Sequence, residues 1–363
     1  MAKGSGRDVD LSSFSRRNRK QNWKLIVGNI ALSVVLVISS LALGGMTLLN
    51  SRFFDHGESE IPGLEDIKKG DNENVTYFLV AGLDLSENLT DIIMVVCFDH
   101  LRGTANILQI PRDTFVGSDV PTGKINAVYG HARKGEVKIN ALIRKINSAF
   151  GLPVDHYVTI DIPGFRELVD ALGGVEVNMP KKLTVEDSVH KKNIVIGPGK
   201  VTLNGIQAEG FVRHRKSYVK GDMGRVEAQR LFYAGFIKKL MGMSLSQMTK
   251  VAAACYDNIG TDMTNGQILS YAQLAQKMDL EDIRIEAMPG HSDYATPEGL
   301  HQRLSYYSMH KQQYVDLINR YFLPYEKYEL LPSDLDIVEL FEPNEWTDID
   351  EGGSIDTIGE DDE

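Results

Sequence analysis

An uninterrupted apolar segment is the feature that most limits what this chain can fold into. Residues 25–49 carry no charged side chain, and leucine, isoleucine, valine and alanine dominate them. As a helix they would be about 37 Å long, which is enough to cross the roughly 30 Å hydrocarbon core of a bilayer. A cleaved signal peptide normally has a shorter apolar core. The sequence therefore predicts one transmembrane helix over residues 25–49.

The charges beside this segment predict its orientation. Residues 1–24 hold seven Lys and Arg against two Asp, whereas Asp55, Glu58 and Glu60 follow the segment. Basic flanks stay on the cytoplasmic side of a membrane. We therefore expect a single-pass protein of the cell membrane, with a cytoplasmic basic segment at 1–24 and the rest of the chain outside the cell.

Charge also separates a folded body from its ends. Residues 50–74 are polar with Gly and Pro and are predicted to form a stalk, while residues 334–363 contain thirteen Asp and Glu and no Lys or Arg. The formal net charge of −11 leaves only −3 for residues 25–333. A nearly neutral body outside the cell argues against a nucleic-acid partner. We expect residues 326–363 to form an acidic, disordered tail.

Short apolar runs alternate with helical patterns through the body. The runs at 77–83, 91–98 and 105–110 are continuous and β-rich, which is typical of strands covered on both faces. The helical period at 139–150 predicts an amphipathic helix. Further strands are predicted at 157–160, 175–177 and 283–288, further helices at 165–172, 204–212, 222–240, 246–258 and 265–278, and a polar, basic surface insertion at 181–200. This alternation indicates a three-layer α/β/α domain over residues 75–325.

The two cysteines are predicted to be structural. Cys97 lies in an apolar run and Cys255 follows three alanines. Unpaired cysteines are often buried, so we expect two free core thiols. No Cys/His spacing suggests zinc.

Charged residues stand where the predicted strands begin or end. Asp84 follows the first strand, Asp91 opens the second, and Arg112 and Asp113 follow the third. Residues at strand ends line the crevice of an open α/β sheet. The carboxylates of Asp84 and Asp91 are able to share a divalent cation, and such oxygen ligands suit Mg²⁺ or Mn²⁺. Each aspartate alone is also typical of a turn or a helix cap.

A second charged group lies between residues 213 and 229. Arg213 and Arg215 are two apart in a predicted extended stretch, so their side chains point the same way. Asp222, Arg225 and Gln229 recur at helical spacing and share one face, with Asp222 at the N-cap position. A charged face that continues into apolar residues is costly unless its charges meet partners or a ligand.

Arg112, Arg213, Arg215 and Arg225 together supply four guanidinium groups for one pocket. The planar guanidinium fits phosphate oxygens, and four of them beside a cation suit a pyrophosphate. The alternative is a set of structural salt bridges, Arg112–Asp113 and Asp222–Arg225 included. The residues alone leave both interpretations open.

The order of the motifs resembles the LytR-CpsA-Psr family. The matching segments are GLD at 82–84, TD at 90–91, IPRDT at 110–114, KINAVY at 124–129, GFRELVDALGGVEVNMP at 164–180, GKVTLNGIQAEGFVRHRK at 199–216 and GDMGRVEAQR at 221–230. A basic-flanked membrane helix ahead of the domain matches as well. The resemblance covers about residues 75–320 and implies the family's three-layer fold with a central mixed sheet.

The resemblance implies a transferase of cell-wall biogenesis. Family members move a glycopolymer, such as teichoic acid or capsular polysaccharide, from a polyprenyl-pyrophosphate carrier to a peptidoglycan hydroxyl, and they use magnesium. Two alternatives remain open for this chain. One is a polyprenyl-pyrophosphate hydrolase, and the other is a non-catalytic surface protein that binds polysaccharide or regulates.

Roles for single residues also follow from the resemblance. Asp84 and Asp91 match the metal-associated aspartates, and the four arginines match those that bind pyrophosphate. The expected catalytic residues are Asp84, Asp91, Arg112 and Asp222, and the expected pyrophosphate-binding residues are Arg112, Lys124, Arg213, Arg215, Arg225 and Gln229. Asn126 falls with Lys124 in the family's KIN motif. Ser86 and Leu89 stand where many members carry arginine, so two potential phosphate contacts are absent.

The chemistry adds two requirements. A carboxylate, Asp91 or Asp222, would accept the proton of the attacking sugar hydroxyl. The prenyl tail needs an apolar slot between the sheet and its helices, for which Met94, Val96 and Phe98 are candidates.

Overall fold

The computed structural model describes residues 73–214, 222–244, 247, 250–251, 254–275, 278–325, 329–343 and 353–358. The predicted cytoplasmic segment, the transmembrane helix and nearly all of the stalk lie outside these residues. Within the described ranges, no helix is long and apolar enough to cross a membrane.

A mixed sheet forms the centre of the described domain. The described strands are β1 (Val75–Asp84), β2 (Leu89–Asp99), β3 (Thr104–Gln109), β4 (His156–Asp161), β5 (Val175–Met179), β6 (Leu183–Asp187), β7 (Lys192–Ile196), β8 (Gly199–Leu203), β9 (Ile259–Thr261), β10 (Ile283–Ala287), β11 (Gly290–Ala295), β12 (Leu304–Met309) and β13 (Gly353–Ser354). Seven of them form the sheet in the order β13-β10-β3-β2-β1-β4-β9. The pairs β1–β4 and β3–β10 are parallel and the other pairs are antiparallel.

Helices cover both faces of this sheet. The described helices are α1 (Lys138–Phe150), α2 (Ile162–Ala171), α3 (Gly205–Arg213), α4 (Asp222–Met241), α5 (Asn265–Ala275) and α6 (Lys311–Tyr321). Because strand side chains alternate between faces, β2 sends Val96 into the cluster with α2, α3 and α4, and Val95 into the cluster with α1 and α6. The predicted central mixed sheet is confirmed.

The prediction of a surface insertion at 181–200 is wrong in part. Strands β6 and β7 pair as a hairpin whose Leu183, Val185 and Ile196 are buried in the core. Thr184 and Glu186 alternate with them and are exposed. A period of two buries one face of a strand even where most of the letters are polar.

The prediction of a disordered tail is wrong for the described part of that tail. Leu335 and Ile337 pack into the core, and Ile355 is fully buried. Strand β13 pairs antiparallel with β10 at the edge of the central sheet. Isolated apolar residues among acidic ones have no periodicity to read, yet each can fill a gap in a core.

Other boundaries shifted by smaller amounts. Of the helix predicted at 246–258, residues 247, 250–251 and 254–255 are described and helical, and Tyr256–Asn258 forms a 3₁₀ turn ahead of β9. The β11–β12 hairpin and α6 were not predicted. Cys97 and Cys255 are buried free thiols, as expected. Burial raises the pKa of each thiol to about 12.

Candidate functional site

The β1–β2 hairpin brings the two predicted metal-associated aspartates to one end of the sheet. Asp84 is the last residue of β1, and Asp91 is the third residue of β2. The pairing register shifts between Gly82 and Leu83, and such a bulge re-aims the side chains that follow it. Gly82 leaves room for Ile92 on the paired strand, since a Cβ at residue 82 would lie only 3.0 Å from Ile92 Cβ.

Arg213 joins these aspartates from a distant part of the chain. Its Nη2 donates to Asp84 Oδ2 at 3.2 Å, and its Nε lies 3.4 Å from Asp91 Oδ2. The third nitrogen, Nη1, donates to Glu209 Oε1 at 3.2 Å. One guanidinium therefore faces three carboxylates.

Arg213 reaches this position as the last residue of α3, and the expectation of an extended stretch is wrong for it. Asn204 and Gln207 form a capping box that starts the helix, and buried Phe211 and Val212 keep its last turn packed on the core. Arg215 lies outside the described residues, so its predicted place beside Arg213 stays a prediction.

Arg112 follows β3 and contacts Asp91, one of the two aspartates that Arg213 faces. Its Nη1 donates to Asp91 Oδ1. Asp113, the alternative partner considered from the sequence, instead accepts from Lys124 Nζ at 3.1 Å. Lys124 also lies 5.5 Å from the centre of the Tyr306 ring. The structure thus brings Arg112 to Asp91 and engages Lys124 with Asp113.

The electrostatics of the site follow from these contacts. Burial alone would raise the pKa of Asp84, but hydrogen bonds from the Ser86 hydroxyl and the Glu87 backbone, with the charge of Arg213, bring it below its ordinary value. Burial would lower the pKa of Arg213, and the carboxylates of Asp91, Glu209 and Asp84 raise it instead. Asp84 and Arg213 are therefore held as ions.

The face of α4 is only partly described. Gln229 is buried, its Nε2 donates to Val212 O at 2.8 Å, and its Oε1 accepts from Gln109 Nε2 at 2.7 Å. Gln229 thus ties α4 to the end of α3, next to Arg213. Asp222 is the first residue of α4, but the side chains of Asp222 and Arg225 lie outside the described part of the chain. Their predicted roles stay predictions.

A small pocket of about 40 Å³ opens at this point. Its polar lining includes Asp91, Arg112, Glu209, Arg213 and Gln229. The arrangement places both cationic and anionic groups around one opening, which suits a charged ligand.

An apolar cavity of about 120 Å³ lies beside this pocket and shares Gly82, Ile92, Ile160 and Phe165 with it. Met94 and Val96 line the cavity, as expected for a slot between sheet and helices. Phe98 is not among its lining residues and belongs to the buried core.

Glu209 was missed by sequence reasoning. It lies four residues before Arg213, one helical turn away, and this spacing was the available signal. Arg166 was missed as well, and its Nε lies 3.3 Å from Glu209 Oε2.

Asp84 and Asp91 fit a divalent cation. Their Oδ2 atoms converge on one guanidinium, and Asp91 Oδ2 is buried with no hydrogen bond. No group of three or more His, Cys, Asp and Glu able to hold a metal occurs among the described residues. Two carboxylates are enough for Mg²⁺, which usually takes one or two from a protein and completes its shell with water and phosphate oxygens.

Comparisons with known proteins find similar sequences and a similar fold. The profile of the LytR_cpsA_psr family matches residues 55–322. Polyisoprenyl-teichoic acid–peptidoglycan teichoic acid transferase TagV of Bacillus subtilis (strain 168) is 29% identical over 217 residues, 57% of this chain and 54% of TagV. The chain thus spans about half the length of that relative.

Two further similarities extend the match. A TagU of Bacillus cereus, which carries the same transferase name, is 29% identical over 253 residues, 66% of this chain and 79% of TagU. The crystal structure of Bacillus subtilis TagV superposes with a TM-score of 0.56 at 24% identity, covering 68% of this chain and 95% of that one. At this level of identity the structural match shows a shared fold.

Proposed function

Because this chain belongs to the LytR_cpsA_psr family, we propose that it is a phosphotransferase that moves a glycopolymer from a polyprenyl-pyrophosphate carrier to a peptidoglycan hydroxyl. The relatives named as polyisoprenyl-teichoic acid–peptidoglycan teichoic acid transferases support a teichoic acid as the polymer class. One structural observation carries the proposal. Asp91, Arg112 and Arg213 line a pocket that borders an apolar cavity, and Arg213 also pairs with Asp84.

Charge balance supports a magnesium-dependent reaction. Three carboxylates (Asp84, Asp91, Glu209) pair with three guanidinium groups (Arg112, Arg166, Arg213), and a fourth carboxylate, Asp161, also lines the pocket. These described groups carry no positive excess, so they gain little from a pyrophosphate anion unless positive charge is added. Mg²⁺, or Mn²⁺ in its place, would be held by Asp84 and Asp91 and would neutralise pyrophosphate oxygens.

The protein's own groups would then act on the diphosphate. Arg112 and Arg213, with Arg215 and Arg225 from the family motif, bind the non-bridging oxygens and hold the phosphorus in place. Gln229 fixes the end of α3 and so acts on Arg213 through the backbone.

The transfer itself makes one bond and breaks one. The acceptor hydroxyl oxygen attacks the phosphorus that carries the polymer, and the bond from that phosphorus to the bridging oxygen breaks. The bridging oxygen keeps the electron pair and leaves on the polyprenyl monophosphate. The hydroxyl proton goes to a carboxylate, and Asp91 at the pocket wall and Asp222 at the start of α4 are the candidates.

The apolar cavity provides a place for the lipid. Its lining is almost wholly aliphatic and aromatic, and it lies directly beside the arginines. A prenyl chain there would leave its diphosphate at Arg112 and Arg213. The apolar segment at 25–49 supports a location at the outer face of the cell membrane, where such a carrier resides.

A reconstituted transfer assay tests the function. The full-length chain, purified in detergent, is mixed with a polyprenyl-pyrophosphate-linked glycopolymer, Mg²⁺ and peptidoglycan. Polymer attached to peptidoglycan, with release of polyprenyl monophosphate, is the expected result. Free phosphorylated polymer would identify a hydrolase, and absence of any turnover would favour a non-catalytic surface protein.

A further inference from the structure

Glu209 is a buried carboxylate at the pocket wall that none of the chemical steps above uses. It is only 3% exposed and lies one helical turn before Arg213 on α3. A buried carboxylate is costly unless it is paired and hydrogen-bonded. We therefore consider which groups pair with the Glu209 carboxylate.

Three different elements hold the Glu209 carboxylate. Ser188, in the turn between β6 and β7, donates to Oε2 at 2.8 Å, and Arg166 of α2 lies 3.3 Å from the same oxygen. The other oxygen, Oε1, accepts from Arg213 Nη1. Since Ser188 and Arg166 hold Oε2 in place, Oε1 is a fixed acceptor for the Arg213 guanidinium.

The contacts of Arg213 divide between two sides of its guanidinium. Nη1 faces Glu209, whereas Nη2 and Nε face Asp84 and Asp91. A cation bound to the two aspartates would compete for the oxygens that Nη2 and Nε now face. It would leave the contact of Nη1 with Glu209 unaffected.

We propose that Glu209 is a positioning residue that anchors Arg213 through Nη1. When a divalent cation occupies Asp84 and Asp91, Nη2 and Nε turn from the aspartates to the pyrophosphate oxygens while Nη1 stays at Glu209. Without this anchor the long arginine side chain would have to be ordered by the ligand itself, which costs conformational entropy. Glu209 has this role only if the proposed function is right.

Arg166 completes the arrangement. Glu209 alone would cancel the positive charge of Arg213, but Arg166 supplies a second guanidinium to the same carboxylate. The trio of Arg166, Glu209 and Arg213 therefore keeps one net positive charge beside the pocket. Arg166 itself is not among the residues that line the pocket, so its effect on a ligand passes through Glu209.

The test compares two variants of the full-length chain with a matched control. Glu209→Gln removes the charge of the side chain. Glu209→Asp keeps the charge but shortens the side chain, and it serves as the test variant if Glu209→Gln does not fold. Glu186→Gln, on the exposed face of the nearby hairpin, is the control. Calorimetry measures binding of inorganic pyrophosphate in the presence of Mg²⁺ and binding of Mg²⁺ alone, and thermal melting checks the fold.

We expect folded Glu209→Asp to bind pyrophosphate about tenfold more weakly and to lose about ten- to a hundredfold in kcat/KM, because small misplacements of a binding group have such effects. In an Arg213→Lys background the same change should have little further effect, since neighbours that act together are not additive. Mg²⁺ alone should bind Glu209→Gln more weakly than it binds the wild-type chain. Without the Glu209 charge, Arg213 would pair only with Asp84 and Asp91 and would compete with Mg²⁺ for their oxygens.

Two results would overturn the positioning role. Folded Glu209→Asp with wild-type pyrophosphate binding and kcat/KM would do so while the proposed function stands. Equal losses in the wild-type and Arg213→Lys backgrounds would show that Glu209 acts independently of Arg213. A wild-type chain that binds neither pyrophosphate nor Mg²⁺ would contradict the proposed function itself.

Discussion

Ser86 Oγ donates a hydrogen bond of 2.5 Å to Asp84 Oδ1. The backbone N–H groups of Ser86 and Glu87 donate to the same oxygen at 3.1 and 3.3 Å, while Asp84 Oδ2 faces Arg213. One oxygen of Asp84 is thus fixed by its own loop, and the other is left to pair with Arg213. Ser86 stands where many family members carry arginine, and in this chain it orients a carboxylate.

Ser86→Ala should therefore raise the pKa of Asp84, because burial then meets less opposition from hydrogen bonding. A carboxylate with a depressed pKa keeps its charge, and the stability it contributes, until the pH falls through that pKa. In the variant, the acid limb of the kcat/KM profile should move to higher pH. Glu87→Ala is the control, since its backbone N–H is retained, and an identical acid limb in Ser86→Ala would contradict this role.

Strands β1, β2 and β3 of the sheet could be predicted because each is a continuous apolar run. The runs at 77–83, 91–98 and 105–110 fall inside β1 and β2 and on β3 within one residue. Strand β13 could not be predicted, because two residues carry no period and only pairing with β10 makes them a strand. Tertiary context decides such short elements.

The apolar cavity predicts a dependence on lipid length. Val96→Phe would fill space beside Met94 and raise KM for a long-chain polyprenyl donor about tenfold, equivalent to about 1.4 kcal/mol. A short-chain donor assayed with the same variant is the control and should be affected much less. Equal loss with both donors would place the lipid elsewhere.

A buried histidine pair predicts how stability depends on pH. His291 Nδ1 and His310 Nε2 are 2.8 Å apart, and burial together with His310 holds the pKa of His291 below its ordinary value of 6.5. The unfolded chain then binds the proton more tightly, so this contribution to stability is complete above pH 6.5 and is lost as the pH falls through the lower, folded-state pKa. Denaturant titrations at several pH values should show this slope, and His291→Asn should reduce it. Exposed His301→Asn should leave the slope unchanged.

Ile355 tests whether the acidic tail belongs to the folded domain. It is fully buried against the core beside β13. Ile355→Ala should lower the free energy of unfolding by about 2–5 kcal/mol, as for other large-to-small core substitutions. Exposed Thr357→Ala is the matched control. If Ile355→Ala lowered the free energy of unfolding no more than the control, the tail would not belong to the folded domain, as its composition predicts.

The site could be predicted only as a set of residue types. Arg213 is 129 residues from Asp84 in sequence, and no local pattern states that they meet. The family motifs pointed to both residues, but not to the shared guanidinium between Asp84 and Asp91. Glu209 was missed because a single glutamate on a helix is usually exposed. Its burial depends on its tertiary neighbours Arg166 and Ser188, which offset the cost of removing the carboxylate from water.

In the proposed reaction, Arg213 and the two aspartates bind and activate a lipid-linked pyrophosphate. The most direct measurement is transfer of glycopolymer to peptidoglycan by full-length Arg213→Ala, with exposed Arg320→Ala of α6 as the matched control. We predict that Arg213→Ala loses about a hundredfold or more in kcat/KM while its thermal melt still shows a folded chain, and that Arg320→Ala retains wild-type transfer. Wild-type transfer by a folded Arg213→Ala protein would show that Arg213 does not bind the reacting pyrophosphate.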